Sequence, residues 1–357
     1  MKPLLLDCHL DLSLNAIAYG RDLREPVHQL RKNEEGMTDL KARAMGTTAF
    51  PEMRQGNIGL CVATQLAGTQ NPGHPICSWK SPPQAWAMTQ AQLAWYRAME
   101  EDGQMRQIRN REQLEAHLTA WEADPDNCPI GYILSLEGAD SMITLEYLEK
   151  AWEYGLRALG PAHYGAGRYA LGHDQDGPLN DLGKDLIREM DRLEMILDVT
   201  HLCDKTFWDA LEIFEGPIWA SHSNCRALVD DPRQFNDEQL KALIERDAVI
   251  CAAYDAWMMV PGWIKGETMP ADIGVKIEHA CDHIDHVCQL AGSAKHCGIG
   301  SDLDGGFGTE QSPMDLDTIA DLQAMTDLLS KRGYSEEDVT GIMSGNLLRF
   351  LRENWAA

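Results

Sequence analysis

Near its start the chain carries Asp7-Cys8-His9-Leu10-Asp11, directly after the apolar run Pro3-Leu4-Leu5-Leu6. That run reads as a buried strand, and alternation along a strand would aim Asp7, His9 and Asp11 at one face. Three ionisable groups on one face of a buried strand are costly without a partner. A metal ion at the strand's C-terminal end is such a partner, because imidazole and carboxylate are both metal ligands. Similar residues close other apolar runs. Leu134-Ser135-Leu136 ends in Glu137, and Leu156-Arg157-Ala158-Leu159 leads through Pro161-Ala162 to His163. His201 follows Asp198-Val199-Thr200, His222 follows Ala220-Ser221, and Asp302 follows Gly300-Ser301.

The set fits two divalent metals. One takes His9 and Asp11, the other takes His201 and His222, and Glu137 bridges them through its two oxygens. Each metal then keeps a position for a shared water, the open coordination that catalysis needs. Imidazole and carboxylate without thiolate suit zinc best, with manganese, cobalt or iron as alternatives.

For these residues to meet, the strands ending in them must run parallel and side by side. Short apolar runs recur at Leu4-Leu5-Leu6, 58–64, 130–136, 156–159, 195–199, 217–220, 248–253 and 297–300. Amphipathic stretches at 84–99, 179–193, 204–214, 236–246 and 273–290 lie between them, and 315–331 and 335–353 close the chain. Repeated strand–helix alternation predicts one (β/α)8 barrel over residues 1–357, with C-terminal helices. A doubly wound open sheet is the competing α/β arrangement, but no Gly-rich phosphate loop follows the first strand. In the barrel, residues at strand ends share one rim, and that rim is where catalytic groups belong.

The 357 residues, 44% of them hydrophobic, suffice for a large core. Lys plus Arg number 31 against 56 Asp plus Glu, a formal charge of −25. That balance argues against nucleic acid or an anionic membrane as partner. Asp7, His9 and Asp11 interrupt the apolar start too early for a signal peptide, and no run approaches the roughly 20 apolar residues of a spanning helix. The ten Cys show no C-x-x-C pair, which suits reduced, buried thiols. The expectation is a cytoplasmic protein, with a homodimer left open.

The chain resembles the membrane (renal) dipeptidases of the amidohydrolase superfamily. The matching pieces are Asp7-Cys8-His9-Leu10-Asp11, Ser135-Leu136-Glu137-Gly138, Asp198-Val199-Thr200-His201, Ser221-His222-Ser223, Asp231-Pro232-Arg233 and Gly298-Ile299-Gly300-Ser301-Asp302-Leu303-Asp304-Gly305. Asp282-His283-Ile284-Asp285-His286 and Asn346-Leu347-Leu348-Arg349 match as well. They stand in the family's order over nearly the whole chain. Other amidohydrolases typically carry H-x-H on the first strand and often a carbamylated Lys. H-x-D with a Glu favours the dipeptidase branch.

The resemblance implies that His9, Asp11 and Glu137 hold a first zinc and that Glu137, His201 and His222 hold a second. It gives His163 the developing oxyanion and Asp302 a proton shuttle. Arg233 would grip the substrate carboxylate, a use suited to a guanidinium fork, and Tyr254 would sit in the substrate pocket. The implied activity is hydrolysis of dipeptides, L-Xaa-D-Xaa included, by a hydroxide bridging the metals. Hydrolysis of N-acyl amino acids or lactones would use the same ligands. A catalytically idle metal binder would have little need of Asp302.

Other residues read as structural. His283 and His286 lie before the last strand, away from the rim, in packing or at the surface. Asp7 sits a layer below His9, as a partner of the site. His173 and Arg168, in the loop 165–177, read as ordinary surface residues, and Trp257 and Trp263 are candidates for a pocket wall. The Pro-rich segment 68–83 forms an excursion after the second strand.

Overall fold

A strand covered on both faces needs apolar residues on both, and the short Val, Ile and Leu runs supply them. In a computed structural model describing residues 2–69 and 78–355, these runs form parallel strands. They are β1 (Leu5–Leu10), β2 (Ile58–Leu66), β3 (Met105–Gln107), β4 (Ile130–Glu137) and β5 (Leu156–Gly160), followed by β6 (Ile196–Asp198), β7 (Ile218–Ala220), β8 (Val249–Ala252) and β9 (Cys297–Ile299). The sheet runs β2-β1-β9-β8-β7-β6-β5-β4, and β2 returns to pair with β4. The result is the closed eight-stranded parallel barrel that the alternation predicts.

The short β3 pairs only with the start of β4, below the stretch of β4 that pairs with β5. Neither β3 nor the helix Arg111–Ala123, capped by Asn110, belongs to the expected pattern. The region between β1 and β2 also holds three short helices, Leu12–Ile17, Val27–Asn33 and Phe50–Gln55. Expected helices at 84–99, 179–193, 204–214 and 236–246 appear as Pro82–Glu101, Asp181–Arg192, Asp204–Ile213 and Asp237–Glu245. The 273–290 stretch divides, because Gly274 turns left-handed (φ 73°) after Pro270–Ile273 and the main helix starts only at Glu278. Of the segment 68–83, residues 70–77, including Pro72 and Pro75, lie outside the described residues.

The barrel interior is packed with Leu6, Cys8, Leu60, Val62, Ile133, Ile196, Trp219 and Val249. Leu347, Phe350 and Leu351 of the C-terminal helix close its lower end, with Phe350 5.8 Å from the Trp219 ring. Burial below and polar strand ends above leave one chemically active rim. The nine described cysteines are all free thiols. Among the described residues, no helix is long and apolar enough to cross a membrane.

His283 and His286 lie away from the rim. The His286 Nε2 meets Asp237 at 2.7 Å. His283 is buried; its Nδ1 accepts from the Cys225 N–H at 3.0 Å and its Nε2 donates to the Met259 carbonyl at 3.1 Å. Burial holds its imidazole down at about 4. An unfolded chain protonates this group near 6.5, so it binds the proton more readily than the folded one between these values. Stability from His283 is therefore present near neutrality and lost as pH falls through that window. Urea unfolding from pH 7 to 4.5 should show wild type losing about 2–3 kcal/mol more than His283→Gln. Parallel pH profiles would contradict this.

Candidate metal centre

The candidate metal ligands stand at or just beyond the C-terminal ends of their strands. The alternation expected to align Asp7 with His9 does not persist. Leu6 and Cys8 face the barrel interior, which puts Asp7 on the opposite face. Its carboxylate accepts from the Ser301 N–H at 2.8 Å and hydroxyl at 2.5 Å, and from the His9 N–H at 3.2 Å. Pairing with β2 shifts register between Asp7 and Leu10. Such an irregularity re-aims a side chain, and His9 swings over the barrel mouth. Asp7 thus ties β1 to the Ser301-Asp302 segment. Asp198 does the same between β6 and β7, accepting from the Thr200 and Ser221 N–H groups at 3.1 Å.

Around Glu137 the side chains converge. Its Oε1 lies 3.0 Å from His201 Nε2, 3.3 Å from His222 Nε2 and 3.9 Å from His9 Nε2. His163 Nε2 is 3.8 Å from the other oxygen. His9 Nε2 also lies 3.6 Å from Asp11 and 3.7 Å from Asp302. Three overlapping groups result, each with ligand atoms within 4.8 Å: His9, Glu137, His222; Glu137, His163, His201; and His9, Asp11, Asp302. The rim thus brings together all five expected ligands, with His163 and Asp302 among them.

Three observations fit this set to a metal. Among the described residues, His9 Nε2 and Asp11 Oδ1 are buried without a hydrogen-bond partner. His201 Nε2 and His222 Nε2 stand 3.1 Å apart, with Glu137 Oε1 beside both, so acceptor-type atoms crowd together. On each ring the second nitrogen has a partner: Thr64 Oγ1 at 3.5 Å from His9, Ser221 Oγ at 2.8 Å from His222 and His173 Nδ1 at 3.2 Å from His201. Orientation through the second ring nitrogen is how ligating imidazoles are held.

The electrostatics point the same way. Burial, with Asp11 and Asp198 nearby, pushes Glu137 up to about 8, against the pull of His9 and Arg233. Burial likewise raises Asp302 well above the usual carboxylate range, although His9 opposes it. Burial alone would lower His9, but Glu137, Asp11 and Asp302 carry it up to about 10. Burial, then Arg233 and neighbouring imidazoles, holds His201 and His222 well below their ordinary value. Glu137 and Asp302 thus favour their protonated forms and His201 and His222 their neutral ones, so the site is short of positive charge. A bound cation would displace those protons.

Arg233 is buried behind His222, donating to the His222 carbonyl at 2.8 Å and the Ser223 hydroxyl at 3.1 Å. Those bonds fix its fork beside the rim and occupy two of five N–H groups. Asp302 has φ 59° and Asp304 φ 62°, left-handed values that are uncommon outside glycine. Gly305 makes the turn possible, because a Cβ there would lie 2.0 Å from Asp302 Oδ1. Asp304 accepts from the Thr47 N–H at 2.7 Å and the Thr48 N–H at 3.0 Å, and it faces Arg21 at 3.4 Å. Arg21 in turn pairs with Glu34 at 2.9 Å. The region between β1 and β2 is thereby bound to the turn that carries Asp302.

Some expectations are corrected. Tyr254 is wholly buried. Among the described residues its hydroxyl has no hydrogen-bond partner, and Cys281 and Asp7 are the charged-type groups acting on it. It packs into the barrel wall, not at the open rim. Arg168 is part of the scaffold, donating to the Met142 and Ile143 carbonyls at 3.1 and 2.8 Å. His173 is buried against His201, not at the surface. Trp257 is buried and donates from Nε1 to Asp255 at 2.6 Å, while Trp263 is half-buried.

Comparison with known proteins agrees with this geometry. The family model described as membrane dipeptidase, peptidase family M19, matches residues 2–357. An uncharacterized dipeptidase of Schizosaccharomyces pombe is 31% identical over 171 residues, covering 48% of this chain and 39% of that protein. The dipeptidase tcpJ of Claviceps purpurea is 30% identical over 231 residues, 62% of this chain and 51% of its own length. The chain thus spans about half or less of these curated relatives. A metallopeptidase of Rhodobacter sphaeroides, solved with a phosphinate mimic of the dipeptide L-Ala-D-Ala, shares the fold with a TM-score of 0.79. It is 21% identical, with 99% of this chain and 100% of that one covered.

Proposed function

The chain belongs to the membrane dipeptidase family, and from that premise we propose that it is a zinc-dependent dipeptidase working through a two-metal centre. The observation that carries this reading is the cluster about Glu137, in which His9 Nε2 and Asp11 Oδ1 have no hydrogen-bond partner among the described residues. His9, Asp11 and Glu137 would hold one zinc, and Glu137, His201 and His222 the other. Bound there, the metals would supply an acidified water as nucleophile and polarise the scissile carbonyl.

The chain's own residues do the rest. Arg233 offers its fork to the substrate's C-terminal carboxylate, which restricts the site to short peptides with a free end. His163, with a side chain 29% exposed, reaches the open side of the rim and steadies the oxygen that gains charge. Asp302 takes a proton from the attacking water as the C–O bond forms. It delivers that proton to the leaving nitrogen as the C–N bond breaks. The ligand of the Rhodobacter sphaeroides structure supports including L-Xaa-D-Xaa dipeptides among the substrates. The free thiols support a reducing, cytoplasmic setting.

A panel of L,L and L,D dipeptides, N-acyl amino acids and lactones, offered to zinc-loaded protein, tests the reading. Dipeptides should be turned over best, and preference for an N-acyl amino acid or lactone would replace it. Arg233→Met should lose about 2–5 kcal/mol in kcat/KM on free dipeptides, the cost of removing a buried charged contact. The loss should be much smaller on C-terminally amidated ones, and equal losses would remove Arg233 from carboxylate binding. Asp302→Asn keeps the shape but not the basic oxygen. Its kcat should fall roughly 10²–10⁴-fold with metal content unchanged. Loss of a metal would make Asp302 a ligand, and full activity would place the shuttle elsewhere.

A further inference from the structure

The ring at His201's back is the strongest unassigned feature of the site. His201 Nδ1 and His173 Nδ1 lie 3.2 Å apart, both rings buried. A hydrogen bond between two such nitrogens needs one protonated and one bare. On its other side His201 aims Nε2 at Glu137 Oε1, 3.0 Å away, and at His222 Nε2, 3.1 Å away. If Nε2 is to offer a lone pair there, the proton must sit on Nδ1. His173 is then the acceptor, carrying its own hydrogen on Nε2.

The loop 165–177 is built to deliver that acceptor. Gly172 forms a bridge with Leu202, and the Cys203 N–H donates to the Leu171 carbonyl at 3.1 Å. The Asp174 carboxylate takes the Gly165 N–H at 2.7 Å. A Cβ on Gly172 would lie 2.0 Å from the His163 carbonyl oxygen, so glycine alone lets the loop come this close. The restraint falls where it is needed. His201 sits at φ 68°, a strained left-handed conformation that persists only where its surroundings impose it.

We propose that His173 is a positioning residue, whose Nδ1 accepts the Nδ1–H of His201 and fixes the tautomer and direction in which His201 meets the metal. This rests on His201 being a zinc ligand, as proposed above. An imidazole in this place has a chemical consequence. The cluster already gathers the carboxylates of Asp11, Glu137 and Asp302. A carboxylate behind His201 would orient the ring but add a fourth negative charge and raise the ligand's basicity. A neutral imidazole gives the direction without the charge.

The test is competition for zinc between the protein and a chromophoric chelator, which reads affinity without turnover. His173→Leu removes the acceptor and keeps bulk. His173→Asn restores an acceptor near the Nδ1 position through its amide oxygen. His173→Gln, whose acceptor lies nearer Nε2, replaces the leucine variant if that fails to fold. Wild type should bind two zinc ions, and the leucine (or glutamine) variant should hold one of them roughly 10–100-fold more weakly. The asparagine variant should recover most of that loss. Unchanged affinity in the leucine variant, or equal losses in leucine and asparagine variants, would overturn the role of His173. A wild-type protein that takes up no zinc would instead overturn the metal reading beneath it.

Discussion

Glu137 is a carboxylate buried at the mouth of the barrel, ringed by four imidazoles and two further carboxyls, with too few donors to neutralise it. A buried charge in that condition is expensive, and hydrogen bonds alone do not repair it when the neighbours are themselves acceptors. Burial favours the protonated forms of Glu137 and Asp302, and the surrounding carboxylates favour the protonated form of His9. Among the described residues, His9 Nε2 and Asp11 Oδ1 still have no hydrogen-bond partner. Two cations would satisfy all of these atoms together. The site is therefore assembled for an occupant that the chain does not itself supply.

The scaffold absorbs the cost of holding such a site open. Asp7 and Asp198 sit a layer beneath and stitch neighbouring strands together through backbone N–H groups. His201, Asp302 and Asp304 adopt left-handed backbone, and each is fixed by a second element. The loop 165–177 holds His201, while Thr47, Thr48 and Arg21 hold the turn around Asp304. Strain at functional residues persists only where the surroundings over-determine it. The packed interior and the Phe350 plug provide the rigid base for that.

The barrel strands were legible because each is a short, doubly buried apolar run, and the metal candidates because each ends one. What escaped the sequence depended on tertiary contact. The three short helices between β1 and β2 lack long amphipathic periods, and Arg21 between them pairs with Glu34 and with the distant Asp304. β3 has only three residues. His173 read as surface because its loop is polar; only the approach permitted by Gly172 buries it. Tyr254 follows β8 as a pocket residue would, yet it turns into the wall. The Asp7–His9 alternation failed for a related reason, since the register shift that re-aims His9 depends on pairing with β2.

The central claim is a two-metal centre built around Glu137. Diffraction from crystals of zinc-loaded protein, recorded on both sides of the zinc absorption edge, tests it most directly. The account predicts two anomalous peaks roughly 3.5–4 Å apart, one beside His9 and Asp11, the other beside His201 and His222, with Glu137 between them. A single peak, or peaks that do not flank Glu137, would contradict it.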